Sequence, residues 1–447
     1  MPTLAHPGEI METQRIIDDS RAFSIFTWSA GRDVHPLALE SASGSWLHLS
    51  DGRRLLDFNS QSMNANLGHS HPHLVAKLQA QLGSLPHAAP AFATELRAKV
   101  SKALSATFPE AIDKILYCLG GAEANENAFR AARLFTGKQK ILSTYRSYHG
   151  GTAGAIAATG DPRRWPNEPG PPGFVHVLGL EPYRYSFGDE TARTAAHLRY
   201  LEEVIRGEGA QTIAAMIIEP VVGTNGVLAP PKGYLAELKA LLDRYEILLI
   251  CDEVMSGFGR CGTFWGFERH GVTPDLVTMA KGMTCGYVPG GAVAFHQRLS
   301  AFFEEHPFVG GLTCNSHPMI LAAVEGVLEV FEREQVMDQV AARSLELAQG
   351  FEQLKLNHPS VQAARTIGLM GMLDLQDADG QLLANLGGNP APLKYLKADL
   401  IDEGVYAFMR WSHLCAFPPL NISRDDLAFA LSALDSALSK LDRRLGF

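Results

Sequence analysis

An α/β fold is predicted by three features of this 447-residue chain. Short apolar runs of strand length alternate with amphipathic helical runs through its middle. Glycine-rich or acidic residues follow several of those runs directly, where open α/β sheets bind ligands. No apolar run is long enough to cross a membrane.

Taken in order, the first sixty residues or so mix short strands and loops, including Trp46–Leu49 and Leu55–Phe58. Lys114–Leu119 reads as a strand, Glu123–Phe135 as a helix stopped at Gly137, and Lys140–Thr144 as a strand again. Ala214–Ile218 is a third strand, Tyr234–Tyr245 a helix, Ile247–Cys251 a buried strand and Leu276–Met279 a further one. After Pro318 long helix dominates, over Met319–Phe331 and on to Leu354, then short strands and a closing helix from Asp425. The expected organisation is an N-terminal arm over 1–60, a large α/β unit over 61–318 and a smaller α+β unit over 319–447.

The net charge of −9, with no strongly basic stretch, argues against nucleic acid as a partner. The N-terminus has no basic segment followed by an apolar run, so a secretory signal is not expected. The six cysteines are scattered without a C-x-x-C pair and read as reduced thiols of a cytoplasmic chain.

Three segments carry chemistry. Gly120-Gly121-Ala122-Glu123-Ala124-Asn125-Glu126 follows a strand and opens a helix. Small residues there let a ligand approach the free N–H groups of a helix N-terminus, a phosphate site in outline; a plain tight turn explains them equally well. Asp252-Glu253 directly follows the buried run Ile247–Cys251, as a ligand-facing acid or as a helix cap or surface turn. Lys281 stands alone in apolar, glycine-rich surroundings. Desolvation would make it a nucleophile, whereas a solvated loop lysine is the commoner case. Together, a phosphate cradle, an acid for a pyridine nitrogen and an amine for an aldehyde suit pyridoxal 5′-phosphate (PLP).

The run LLICDEVMSGFGRCGTFWGFERHGVTPDLVTMAKGMTCGYVPGGAV resembles the signature of the class III aminotransferases, PLP fold type I. Leu119–Asn127, Tyr148-His149-Gly150, Ile218-Glu219-Pro220, Gly233-Tyr234-Leu235, Thr313 with Pro318, and Pro418-Pro419-Leu420 extend the resemblance over most of the chain. It implies a large domain with a mostly parallel sheet of the seven-stranded type and a smaller α+β C-terminal domain. It also implies Lys281 as the Schiff-base lysine and proton shuttle, and Asp252 as partner of the pyridinium nitrogen. Gly121 and Ala122 would hold the phosphate, Tyr148 and Val254 cover the two ring faces, and His149 and Glu219 belong to the cofactor site. Thr313 would reach a phosphate across a homodimer interface; whether dimers pair into tetramers is left open. Ala122 departs from the Ser or Thr of many relatives and drops one hydroxyl contact.

Two signals are discounted. Gly257–Gly262 fits G-x-G-x-x-G, but Thr263–Phe267 does not open a helix as a dinucleotide fingerprint requires. His69, His71 and His73 align as metal ligands only in an extended run, and Pro72 is better placed to start a helix, so no metal is expected.

For the substrate, Phe26–Ala30, Ser60–Met63 and Tyr145–Trp165 are most similar to the taurine–pyruvate branch of the omega-aminotransferases. That resemblance implies ping-pong transfer from a primary amine or omega-amino acid to a 2-oxo acid such as pyruvate. Phe26 and Trp28 are candidates for an apolar wall, or ordinary core aromatics. Met63 stands where many omega-aminotransferases have Trp. Arg410, eight residues before Pro418, is a candidate for the mobile arginine that forks onto a carboxylate. Arg163 and Arg164 are candidates for an acidic group, or a solvated surface. An aminomutase, a racemase, a decarboxylating aminotransferase and a catalytically silent relative are the alternatives.

Overall fold

The computed structural model describes residues 7–180, 189–384, 388 and 390–447. Its central sheet has seven strands. They are β1 Ile112–Cys118, β2 Lys140–Thr144, β3 Phe174–Val177, β4 Ile213–Ile218, β5 Leu248–Asp252, β6 Leu276–Ala280 and β7 Gly291–His296. Across the sheet the order is β1-β7-β6-β5-β4-β2-β3. Only β7 runs against its neighbours β1 and β6; the pairs from β6 to β3 are parallel.

The residues of β4, β5 and β6 are buried throughout, as expected of parallel strands covered on both faces. Alternation along each strand sorts them between two apolar layers. Ile217, Leu248, Ile250, Leu276 and Val293 share a cluster with Ala124, Ala128, Phe129 and Ala132 of helix Gly121–Thr136. Met216, Leu249, Cys251, Val277 and Met279 point the other way, into the cluster of Tyr234, Leu235, Leu238 and Leu242 from helix Tyr234–Arg244. The small residues of helix Gly121–Thr136 let it lie close to the sheet, and Gly137 ends it in the left-handed conformation at φ 69°.

Two smaller sheets flank this core. Leu39–Ser43, Trp46–Leu49 and Arg54–Asp57 form an antiparallel meander, to which Val405–Tyr406 adds in parallel, so the two ends of the chain share one sheet. The other is antiparallel, in the order Val361–Ile367, Met370–Leu375, His413–Ala416, Phe408–Arg410. Helices Pro318–Arg333, Val336–Asn357 and Arg424–Leu445 complete the C-terminal part.

Two expectations change. The first sixty residues were expected as strands and loops, yet Pro7–Phe23 is helical. None of its described side chains is buried; Met11 and Phe23 are exposed. Without a buried stripe there is no helical periodicity to read. Asp252 is the last residue of β5 rather than the first beyond it.

Candidate active site

The C-terminal ends of the parallel strands converge on one side of the sheet. Gly120 and Gly121 follow β1, Tyr148 and His149 follow β2, Glu219 follows β4, Asp252 ends β5 and Lys281 follows β6. That edge is where the fold leaves free backbone groups and room for a ligand.

Asp252 is held on both oxygens. Oδ2 accepts from Asn125 Nδ2 at 2.9 Å and pairs with His149 Nδ1 at 2.7 Å. Oδ1 accepts from the Val254 amide at 3.0 Å. The same Asn125 amide donates to the His149 carbonyl at 2.6 Å, so one side chain fixes both partners. His149 Nδ1 must carry the proton if the buried carboxylate is to be satisfied. These contacts leave a buried carboxylate immobile and orient its ring partner, as outer hydrogen bonds do around metal ligands. Asn125, inside the quoted Gly120–Glu126 motif, had been given no role; the available signal was a polar residue on the buried face of a helix.

Helix Gly121–Thr136 begins with no side-chain cap, because Gly120 has none to offer. Its first amides are therefore available to an anion. A Cβ at Gly121 would lie 2.9 Å from both methyls of Val254, and one at Gly150 would lie 2.5 Å from the Ala122 Cβ. The terminus, Val254 and the Tyr148–Gly150 turn are thus packed without spare room. Gly121→Ala is expected to cost about 1–3 kcal/mol by overpacking. It should also weaken phosphate-dependent cofactor binding, measured by thermal unfolding and PLP titration of the variant.

Lys281 is part-buried and takes a positive φ of 47°. Desolvation lowers its amine below the ordinary lysine range; Asp252 and Glu219 oppose the shift, while Arg163 and Arg260 reinforce it. Arg260 is buried, and among the described residues it donates to neutral acceptors, the Leu369 and Pro418 carbonyls and Asn66 Oδ1. Glu219 accepts from the amides of Tyr148 at 2.9 Å and Gly223 at 3.0 Å, and so anchors the Tyr148 turn. Burial raises its carboxyl above the usual range.

Glu253 turns away from this edge. It accepts from Ser256 Oγ at 2.5 Å and from the amides of Gly266 and Phe267 at 2.9 and 2.7 Å. Burial pushes its carboxyl up to about 7. A folded-state value above the unfolded one means stability present below about 4.5 and lost as pH rises through about 7. The loss is on the order of 3 kcal/mol. Glu253→Gln should flatten that fall, read as urea midpoints of the two proteins between pH 5 and 7.5.

A second group lies beside Tyr148. The Arg163 guanidinium sits 3.5 Å from the Tyr148 ring centroid and 5.7 Å from that of Trp28. Trp28 meets Tyr148 edge-on at 6.3 Å and is otherwise 67% exposed. Arg163 donates to Asp161 through Nε and Nη2, at 3.0 and 2.5 Å to Oδ2, and Arg410 Nη2 reaches the same oxygen at 3.1 Å. Burial, then Arg163, pushes Arg410 down to about 10. Burial alone would raise Asp161, but Arg163 and then Arg410 outweigh it and hold the carboxyl below its usual range. Asp161, just before the short helix Pro162–Asn167, joins this group, and sequence reading gave it no role.

Other candidates stand apart. Phe26 is half-buried near Trp28. Met63 is packed in a core cluster with Val221, Met370, Met372 and Phe417. Arg164 turns from Arg163 to Glu168 and His176. Thr313 is exposed in the turn before helix Pro318–Arg333. His69, His71 and His73 each engage a different carboxylate, Asp57, Glu334 and Glu329. Pro72 starts a helix as expected. Among the described residues no helix is long and apolar enough to cross a membrane.

Residues 27–438 match the family model for aminotransferase class-III. An uncharacterised aminotransferase of Bacillus subtilis is 30% identical over 93% of this chain and 95% of its own length. The omega-aminotransferase of Caulobacter vibrioides is 30% identical over 91% and 94%. Among solved structures, the taurine:2-oxoglutarate aminotransferase of Bifidobacterium kashiwanohense, in complex with PLP and glutamate, superposes with a TM-score of 0.93. It is 35% identical, over 97% of this chain and 99% of that one. An (S)-enantioselective omega-transaminase of Thermomicrobium roseum gives 0.89 at 32% identity, over 96% and 98%.

Proposed function

The chain belongs to the class-III aminotransferases, a PLP-dependent family, and on that premise we propose that it moves an amino group from a primary amine or omega-amino acid to a 2-oxo acid. The two half-reactions follow one another on one site, in ping-pong order. Pyruvate is the expected acceptor, and taurine and β-alanine are the expected kinds of donor. The observation that carries the substrate reading is the Arg163–Asp161–Arg410 group beside Tyr148. Guanidinium forks suit a carboxylate or sulfonate.

The residues fit the cofactor. An uncapped helix terminus, with no room for a Cβ at Gly121, suits its phosphate. The fixed carboxylate of Asp252 suits a protonated ring nitrogen, and the desolvated Lys281 amine suits an aldehyde. Bound there, PLP supplies an electron sink for the carbon that loses its proton. Lys281 Nζ would take that proton and return it on the cofactor side of the nitrogen being transferred. Asp252 holds the ring nitrogen charged, His149 and Asn125 hold Asp252, and Arg163 and Arg410 orient the acid group. The homodimer, with Thr313 at a neighbour's phosphate, belongs to the same reading, as does a cytoplasmic location.

The test is the absorbance of the PLP-loaded protein with single amines and no oxo acid: taurine, β-alanine, a diamine, alanine. A donor that changes the cofactor spectrum, reversed by pyruvate, supports the proposal. Interconversion of a single substrate with no second one would favour a mutase or racemase, and release of carbon dioxide a decarboxylating enzyme. No response to any amine or oxo acid sinks it.

A further inference from the structure

Arg260 is fully buried in the Gly257–Gly262 turn that follows β5. Nη1 donates to the Leu369 and Pro418 carbonyls at 3.1 and 2.5 Å, and Nη2 to Asn66 Oδ1 at 2.8 Å. Its buried Nε has no acceptor among the described residues. Asp57 acts on it from beyond hydrogen-bond reach, and that carboxylate already serves His69 Nε2 at 2.8 Å and the Asn59 amide at 3.2 Å. The Cys261 and Cys285 thiols also face it, held neutral by burial. Burial pushes the guanidinium down to about 10, so it stays charged at neutral pH. A buried cation with neutral partners is costly, and stability alone does not account for it.

Asn66 joins this cation to the lysine. It is 2% exposed, donates through Nδ2 to the Phe258 carbonyl at 3.1 Å, and accepts the Leu420 amide on its own carbonyl at 2.6 Å. A Cβ at Gly282 would run into Asn66 Nδ2 and lie 3.0 Å from the Phe258 Cβ. The turn that begins with Lys281 therefore rests on Asn66. Lys281 and Cys285 in that turn hold positive φ of 47° and 51°, which a loosely held turn would not keep. Four charged groups act on Lys281: Asp252 and Glu219 favour a positive amine, while Arg163 and Arg260 oppose it. Arg163 is answered by Asp161 at 2.5 Å, but the charge of Arg260 is cancelled by no carboxylate beside it.

We infer that Arg260 is a positioning residue for Lys281. Through Asn66 it fixes the turn that carries the lysine, and as a cation without a carboxylate partner it keeps a second positive charge off the lysine nitrogen. The Gly257–Gly262 run, which is no dinucleotide loop, thereby serves the site from behind. The inference rests on the reading of Lys281 as the amine that holds the cofactor.

Competitive acetylation of the full-length chain without cofactor reads the lysine directly. Trace acetic anhydride is applied across neutral and alkaline pH, and peptide mass spectrometry compares Lys281 with the exposed Lys355. Only the neutral amine reacts. Arg260→Gln removes the charge, so the amine should keep its proton to a pH about one unit higher, and labelling at neutral pH should fall about tenfold. Asn66→Asp leaves Arg260 in place but gives it a carboxylate. It should shift the same way, and serves if Arg260→Gln does not fold. Asn66→Ala breaks the contact and leaves the cation bare. Its labelling midpoint should not rise, while turnover of the PLP-loaded enzyme should fall about tenfold, the lower range for outer-shell losses. Unmoved labelling in Arg260→Gln and Asn66→Asp overturns the inference. So does an equal shift in Asn66→Ala, which would make Arg260 a structural hub alone. The reading of Lys281 fails separately, if the unmodified protein takes up PLP and Lys281 is labelled as before.

Discussion

Lys281→Ala is expected to lower turnover by about 10⁴-fold, the upper range for losing a positioned acid–base group. The variant should still fold, since the lysine packs into no apolar cluster and alanine suits the strand-end turn, apart from its positive φ. Desolvation is what makes this amine reactive: an ordinary lysine is protonated at neutral pH, and a protonated amine can neither attack an aldehyde nor accept a proton. Lys281→Arg should not restore activity, because a guanidinium keeps its proton. Borohydride reduction followed by mass spectrometry gives a second readout. The unmodified protein should gain the mass of one reduced cofactor, and Lys281→Ala should gain none. Turnover within tenfold of normal in Lys281→Ala would remove this lysine from the chemistry.

The strand-end positions of Asp252 and Lys281 were legible because each closes an apolar run, and a run that buries itself on both faces announces where its end must lie. The helix opened by Gly121 was legible for the same reason, from glycines after one strand and small residues facing the next layer. Asp161 was not. Its meaning comes from Arg410, 249 residues away, and from Asn225, 64 residues away, and no local pattern encodes that meeting. Asn125 was visible as part of a motif, but its bond to Asp252 spans 127 residues and depends on how closely the helix lies on the sheet. Met63 is a different case. Its place in the sequence pointed to a pocket, whereas the packing of the C-terminal sheet encloses it in a core cluster. Helix Pro7–Phe23 has no buried side chain among its described residues, so hydrophobic patterning had little to report.

Asp252→Asn should retain the cofactor and still lose about 10²–10³-fold in turnover, the scale for removing one preorganised electrostatic partner. Binding survives because the phosphate cradle and Lys281 are untouched. Turnover does not, for two reasons. The amide carries no charge to keep a ring nitrogen protonated, so the electron sink weakens. The new NH₂ group must also face a donor, since Asn125 Nδ2, His149 Nδ1 and the Val254 amide all donate to the carboxylate now. Whichever oxygen is replaced, at least one buried donor is stranded. Asn125→Ala and His149→Ala leave the charge in place but free its orientation, and each should cost about 10–100-fold, as outer-shell losses do. The ordering is the test: Asp252→Asn lowest, the two supporting variants between it and the unmodified protein, and all three binding PLP by titration. Near-normal turnover in Asp252→Asn, or a deeper loss in Asn125→Ala, would place the ring partner elsewhere and leave Asp252 as a structural hub at the end of β5.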